Sequence, residues 1–190
     1  QTTVFKISEI YDRIALAATG LYPEYEALRF AGIRAAEIKG LTYNREDVAA
    51  KWLVNVYSQH IGTAFRELDT KPLEVELLVC EIREDSSSSN RIYHLSFDGT
   101  FWEEGKYAVI GGRADEMVEI LEGEYKDCLD MPGTVKLAIK AFQTIEAKEE
   151  EAERYEVAAD TIEVALLDGT RNRRKFRRLR SNELNEILNT

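Results

Sequence analysis

Val75-Glu76-Leu77-Leu78-Val79-Cys80-Glu81-Ile82 carries apolar side chains on both of its alternating faces. A strand with one wet face alternates apolar and polar residues, whereas a strand apolar on both faces is covered on both sides. This run therefore predicts a sheet with a packed layer above it and another below.

Working outward, two helical patterns precede the run. In the first, Pro23 suits a first helical turn and Gly40 a C-terminal stop, with Tyr25, Leu28, Gly32 and Ala35 at three- and four-residue spacing. In the second, Asn44 is the expected cap, Glu46 and Asp47 occupy the first turn, and Ala49, Leu53, Tyr57, Ile61 and Phe65 form one buried stripe. Earlier still, Phe5-Lys6-Ile7-Ser8 alternates as a strand. A turn at Tyr11-Asp12-Arg13 leads into the small-residue strand Ile14 to Thr19, closed by Gly20.

After the run, Asp85 to Asn90 reads as a loop and Arg91 to Phe97 as a strand. Asp98-Gly99 is a hairpin signal, with a short strand near Phe101. Tyr107 to Ile110 is expected as a further strand before Gly111-Gly112. A third helix follows over Met117, Val118, Leu121 and Tyr125. A fourth starts near Pro132, with Val135, Ala138, Ile139, Phe142 and Ile145 inward. Ile162 to Leu167 and Phe176 to Leu179 pair around Asp168-Gly169, and Ser181 is the expected cap of a final helix. Paired helices alternating with antiparallel strands, some apolar on both faces, are most economically arranged as two packed sheets with helices outside. The expected class is α+β, a four-layer αββα sandwich, in a single domain over residues 1–190.

Composition bounds the function. Net charge is -10 over 190 residues, which argues against a general nucleic-acid binder because polyanions are drawn to positive fields. No apolar run is long enough to span a bilayer, and Gln1 to Lys6 lacks the pattern of a signal peptide. Cys80 and Cys128 have no metal or redox spacing, and read as reduced thiols of a cytosolic protein.

The segment Lys6-Ile7-Ser8-Glu9-Ile10-Tyr11-Asp12-Arg13-Ile14-Ala15-Leu16-Ala17-Ala18-Thr19-Gly20 resembles proteasome subunits, most closely the actinobacterial α type. Lys71-Pro72, Phe97-Asp98-Gly99-Thr100, Lys106-Tyr107-Ala108-Val109-Ile110-Gly111-Gly112 and Thr161-Ile162-Glu163-Val164-Ala165 follow in the family's order. Lys71-Pro72-Leu73-Glu74, in place of the Arg-Pro-Tyr-Gly usual in archaeal and eukaryotic α subunits, favours the bacterial branch. The resemblance implies the N-terminal-nucleophile hydrolase sandwich and a non-catalytic role. Such subunits form seven-membered α rings that cap catalytic β subunits, gate substrate entry, and dock an ATPase ring activator. Unfolded protein passes through to the β threonines. The family's gate segment and first strands are expected before Lys6 and look absent here. The resemblance also implies an activator-tail pocket at Lys6, with Gly20 and Leu21 near it. A compact ammonium suits the single carboxylate of a C-terminal tail.

Other readings stand beside it. Thr2 and Thr3 invite comparison with the N-terminal threonine of β-type hydrolases. Gln1 precedes them, however, and a lysine four residues along one strand cannot fold back onto Thr2, so no catalytic residue is expected. An unrelated α+β interaction domain remains a further alternative. His60 reads as a packing or surface residue, and with His94 as the only other histidine no serine–histidine–acid set can be argued. Gly111-Gly112-Arg113 reads as a tight turn rather than a phosphate cradle. Arg171 to Arg180 holds seven basic residues in ten, readable as a solvated hairpin face or as a contact to an acidic partner or nucleic acid. Glu149, Glu150 and Glu151 read as a solvated face. No metal and no cofactor are expected.

Overall fold

The computed structural model describes residues 4–83, 89–146, 159 and 161–189. Thr2, Thr3 and the charged run Lys148 to Glu156 lie outside them. The chain divides into two compact units: residues 1–111 with 165–177, and residues 112–164 with 178–190.

The first unit is built on a five-stranded antiparallel sheet, β1 (Ile7–Tyr11), β2 (Ile14–Gly20), β3 (Val75–Glu81), β4 (Arg91–Leu95) and β5 (Phe101–Glu104), in that order across the sheet. The helices α1 (Tyr22–Thr42) and α2 (Ala50–Arg66) are inserted between β2 and β3. Register decides the two faces. Leu16 opposes Val79, which opposes Tyr93, while Ala18, Leu77 and Leu95 form the next row. These side chains are buried against Tyr25, Leu28, Leu53, Tyr57 and Ile61 of the helices. On the other face, Ala15, Cys80 and Ile92 form a row that lines a cavity of about 350 Å³ shared with Leu167 and Phe176. Those last two belong to the hairpin of β6 (Ala165–Leu167) and β7 (Phe176–Arg178). The strand run that is apolar on both faces is thus covered by helices on one side and by a second sheet layer on the other.

Several boundaries differ from the sequence reading, each for a tertiary reason. α1 runs through Gly40 to Thr42. A Cβ at Gly40 would fall 2.1 Å from the Tyr11 hydroxyl, so this glycine serves close packing within the helix rather than its end. Asn44 precedes only a short 3-10 turn, Arg45–Asp47. α2 begins at Ala50, whose N–H donates to Glu81 Oε2 (3.3 Å), so a carboxylate from β3 supplies the cap. In the stripe of α2, Leu53, Tyr57 and Ile61 are buried, but Ala49 is the N-cap and Phe65 is exposed, in edge contact with Phe97. Along α1 it is Ala36, not Ala35, that is fully buried. Tyr107 to Ile110 forms no ladder with any described strand and runs irregularly, and β4 stops at Leu95.

The second unit holds α3 (Ala114–Glu124), α4 (Met131–Glu146) and α5 (Ser181–Asn189). Its core is Val135, Ile139, Leu179, Leu184 and Ile187, with Ile162 and Val164 packed against them. Ala138 and Phe142 face outward, and Ala141 takes the buried position between Ile139 and Ile145. Asp130 caps α4, accepting the Gly133 N–H at 2.8 Å. Ser181 is already helical, and Glu183 reaches back to the Arg180 N–H (2.9 Å), half of a capping box. Regular pairing of the Ile162 to Leu167 run is confined to β6, while Val164 O accepts the Leu179 N–H.

Candidate functional site

Lys6, Gly20 and Leu21 sit at one end of the β1–β2–β3 ladder. Lys6 leads into β1, and its carbonyl accepts the Ala18 N–H (3.0 Å), which places it opposite Ala18 on β2. Gly20 lies two residues further along β2, a rise of about 6–7 Å, and pairs with Val75. Its φ of +112° is a conformation that side-chain-bearing residues rarely adopt, and a Cβ there would lie 1.9 Å from the Glu74 carbonyl oxygen. Glycine is therefore required where β2 turns into α1. Leu21 is the residue before α1, donates its N–H to Glu74 O (3.0 Å), and leaves its side chain 41% exposed.

A charged group that sequence reading missed lies at the same end. Glu24, in the first turn of α1, accepts from the Glu74 N–H (2.6 Å) and from Lys71 Nζ (3.2 Å). Hydrogen bonds to Glu74 and Glu24 hold the Lys71 ammonium above its ordinary range. The signals were present singly, as Lys71-Pro72 and as an acidic first turn, but their separation of 47 residues hid the pairing. Gly20 and Leu21 accordingly lie beside the positive end of α1 and against Glu74, which is tied to Glu24, while Lys6 lies on the neighbouring strand opposite Ala18.

The remaining candidates resolve as follows. His60 is exposed on α2. His94 is buried; its Nε2 lies 2.7 Å from Glu76 Oε1, and its ring stacks at 4.2 Å on Trp102. Glu76 also accepts the Gly111 N–H at 3.1 Å, so this set pins a turn. Burial pushes the Cys80 thiol up to about 11, which keeps it a protonated, apolar filler. Among the described residues no three His, Cys, Asp or Glu side chains are grouped to hold a metal ion, and no helix is long and apolar enough to cross a membrane.

A family model described as Proteasome subunit matches residues 1–165. The chain belongs to the proteasome subunit family. Its mixed helices and antiparallel sheet are the α+β sandwich class of that family. Among curated relatives it is similar to the "Proteasome subunit alpha" of Arthrobacter sp. (strain FB24), 42% identical over 98% of this chain and 78% of that protein. It is likewise similar to the "Proteasome subunit alpha" of Streptomyces coelicolor, 41% identical over 96% of this chain and 70% of that protein. The "Proteasome subunit alpha" of a Nocardioides species is 42% identical with the same two coverages. Family membership makes the chain a component of a proteasome complex.

Proposed function

We propose that this chain is a non-catalytic α-ring subunit of a bacterial 20S proteasome, acting as one α-type domain in the cytoplasm. It would assemble a seven-membered ring with its own kind, stack on catalytic β subunits, and admit unfolded protein to their threonines. The observation that carries this reading is the collinear similarity, over nearly the whole chain, to relatives named proteasome subunit alpha. Gating and docking of an ATPase activator follow from the same reading. A ring that controls access confines the nucleophile to chains that have been threaded inward.

Lys6, Gly20 and Leu21 are the proposed activator-tail pocket. Their shared position at one end of the ladder supports this, since a tail carboxylate there would meet the Lys6 ammonium next to the N-terminus of α1. Lys6→Ala removes a charge-assisted bond of about 1.5–3 kcal/mol, equivalent to roughly ten- to hundred-fold in tail affinity. Activation by a peptide ending in the activator's C-terminal motif should then be lost, while ring assembly and basal small-peptide cleavage persist. Undiminished activation would remove the pocket from the proposal. Native mass spectrometry of the chain co-expressed with a β-type partner tests the ring itself. A monomer indifferent to the partner would overturn the subunit reading, and peptide cleavage by this chain alone would overturn its non-catalytic character.

A further inference from the structure

The first part of the basic run that the sequence left open, residues 171–175, forms one end of the first unit. Residues 168–175 form the tip of the β6–β7 hairpin, at the Asp12 end of β1, opposite the Lys6 end. The tip is tied down from several sides. The Lys175 N–H donates to Asp12 O (2.8 Å), and the Asp168 N–H donates to Lys175 O (2.8 Å). The buried Lys175 ammonium donates to Arg171 O at 2.9 Å. Asp168 accepts from the backbone and hydroxyl of Thr170, bonds that hold its carboxyl below the usual carboxylate range. A tip fixed in this way loses little freedom when a partner binds.

Carboxylates lie underneath and guanidinium groups outside. Glu9 is held by Arg174 through Nε (3.1 Å) and Nη2 (2.6 Å), with the glutamate side chain 18% exposed and the arginine 78%. Asp12 is covered in the same way by the half-exposed Arg45. Each arginine has five N–H donors in a planar fork, so a pair that uses two or three leaves an outward edge able to bind another carboxylate. Arg171 is exposed and uses one Nη to hold Phe176 O (2.8 Å). Arg173 is exposed at φ +61°, and its side chain makes no bond among the described residues.

We propose that this guanidinium-rich hairpin end is a docking surface for an acidic polypeptide segment. Fork geometry fits carboxylates, and guanidinium groups of this surface already hold two of them, Arg174 on Glu9 and Arg45 on Asp12. The proposal stands independently of the ring-subunit reading. Its test is fluorescence anisotropy of a labelled oligoglutamate peptide on the purified full chain. Comparators are an oligoglutamine peptide of equal length and an oligothymidylate.

Oligoglutamate should bind, weaken as salt rises, and lose about ten-fold in affinity in the Arg171→Gln/Arg173→Gln variant. Arg34→Gln, at an exposed position on α1, should leave binding unchanged. If the double variant melts lower than the parent, Arg173→Gln alone carries the test and should lose about three-fold. No binding of oligoglutamate, parental affinity in these variants, or an equal loss in Arg34→Gln would overturn the proposal. Tighter binding of the oligothymidylate would also overturn it and assign the surface to nucleic acid.

Discussion

Arg13 and Glu81 should be more consequential to this chain than any pair near its candidate site. Glu81 ends β3 with its side chain 1% exposed, and Arg13 donates to it from the β1–β2 turn at 2.9 Å, itself 16% exposed. Arg13 also donates to Glu46 O (3.0 Å) and Val48 O (3.3 Å), while Glu81 caps α2 at the Ala50 N–H. One pair thus ties two strand ends, the 3-10 turn and the start of α2. Arg13→Met removes three hydrogen bonds and leaves a buried carboxylate with a single donor. Breaking a buried pair from one side costs about 3–5 kcal/mol, and the partial exposure of Arg13 places this case near 3. In a chain of this size that corresponds to a melting temperature lower by about 6–12 °C. Arg13→Met/Glu81→Leu removes both charges, so it should recover about 2 kcal/mol of the loss; the remainder is the lost cap at Ala50. Urea unfolding of parent, singles and double closes the cycle. A melting point for Arg13→Met within about 2 °C of the parent, or simple additivity in the double variant, would refute the reasoning.

Two further outcomes are expected. The Tyr57 hydroxyl is buried with no partner among the described residues, and burial pushes its pKa well up. Tyr57→Phe should therefore raise stability by about 1 kcal/mol, and a loss of that size in thermal melting would show that the hydroxyl has a partner. Asp98 accepts from the Thr100 N–H (2.8 Å) and hydroxyl (3.0 Å), with the backbone bond the main cause of its lowered pKa. A depressed carboxyl stabilises above its unfolded value, about 4, and loses that contribution as pH falls through the folded value. Asp98→Asn should lower stability evenly from neutral to mildly alkaline pH and flatten the acid limb, so that variant and parent converge as pH falls, and an unchanged acid limb would contradict the assignment.

How much of this was legible in the chain depended on the range of the signal. The two-faced run at Val75, the Tyr11-Asp12-Arg13 turn and the Asp98-Gly99 hairpin are local patterns, and each element lies where the pattern put it. The apolar spacing of α2 and α4 gave their existence, though not which of Phe65, Ala138 and Phe142 would be left outside. Lys6, Gly20 and Leu21 were named through resemblance. That they share one strand end follows from register, which a hairpin turn sets locally.

What the sequence could not supply were partners brought together by folding. The α2 cap came from Glu81, 31 residues away, so Asn44 gave a false start. Gly40 looked like a stop because the Tyr11 hydroxyl that occupies its missing side chain belongs to another element. Lys71 found Glu24, and Arg174 found Glu9 at a separation of 165 residues. Periodicity and turn chemistry are properties of neighbours in the chain, and they determined which elements exist. Burial, capping and charge pairing are properties of neighbours in space, so only the tertiary structure could decide where those elements end and which charges remain exposed.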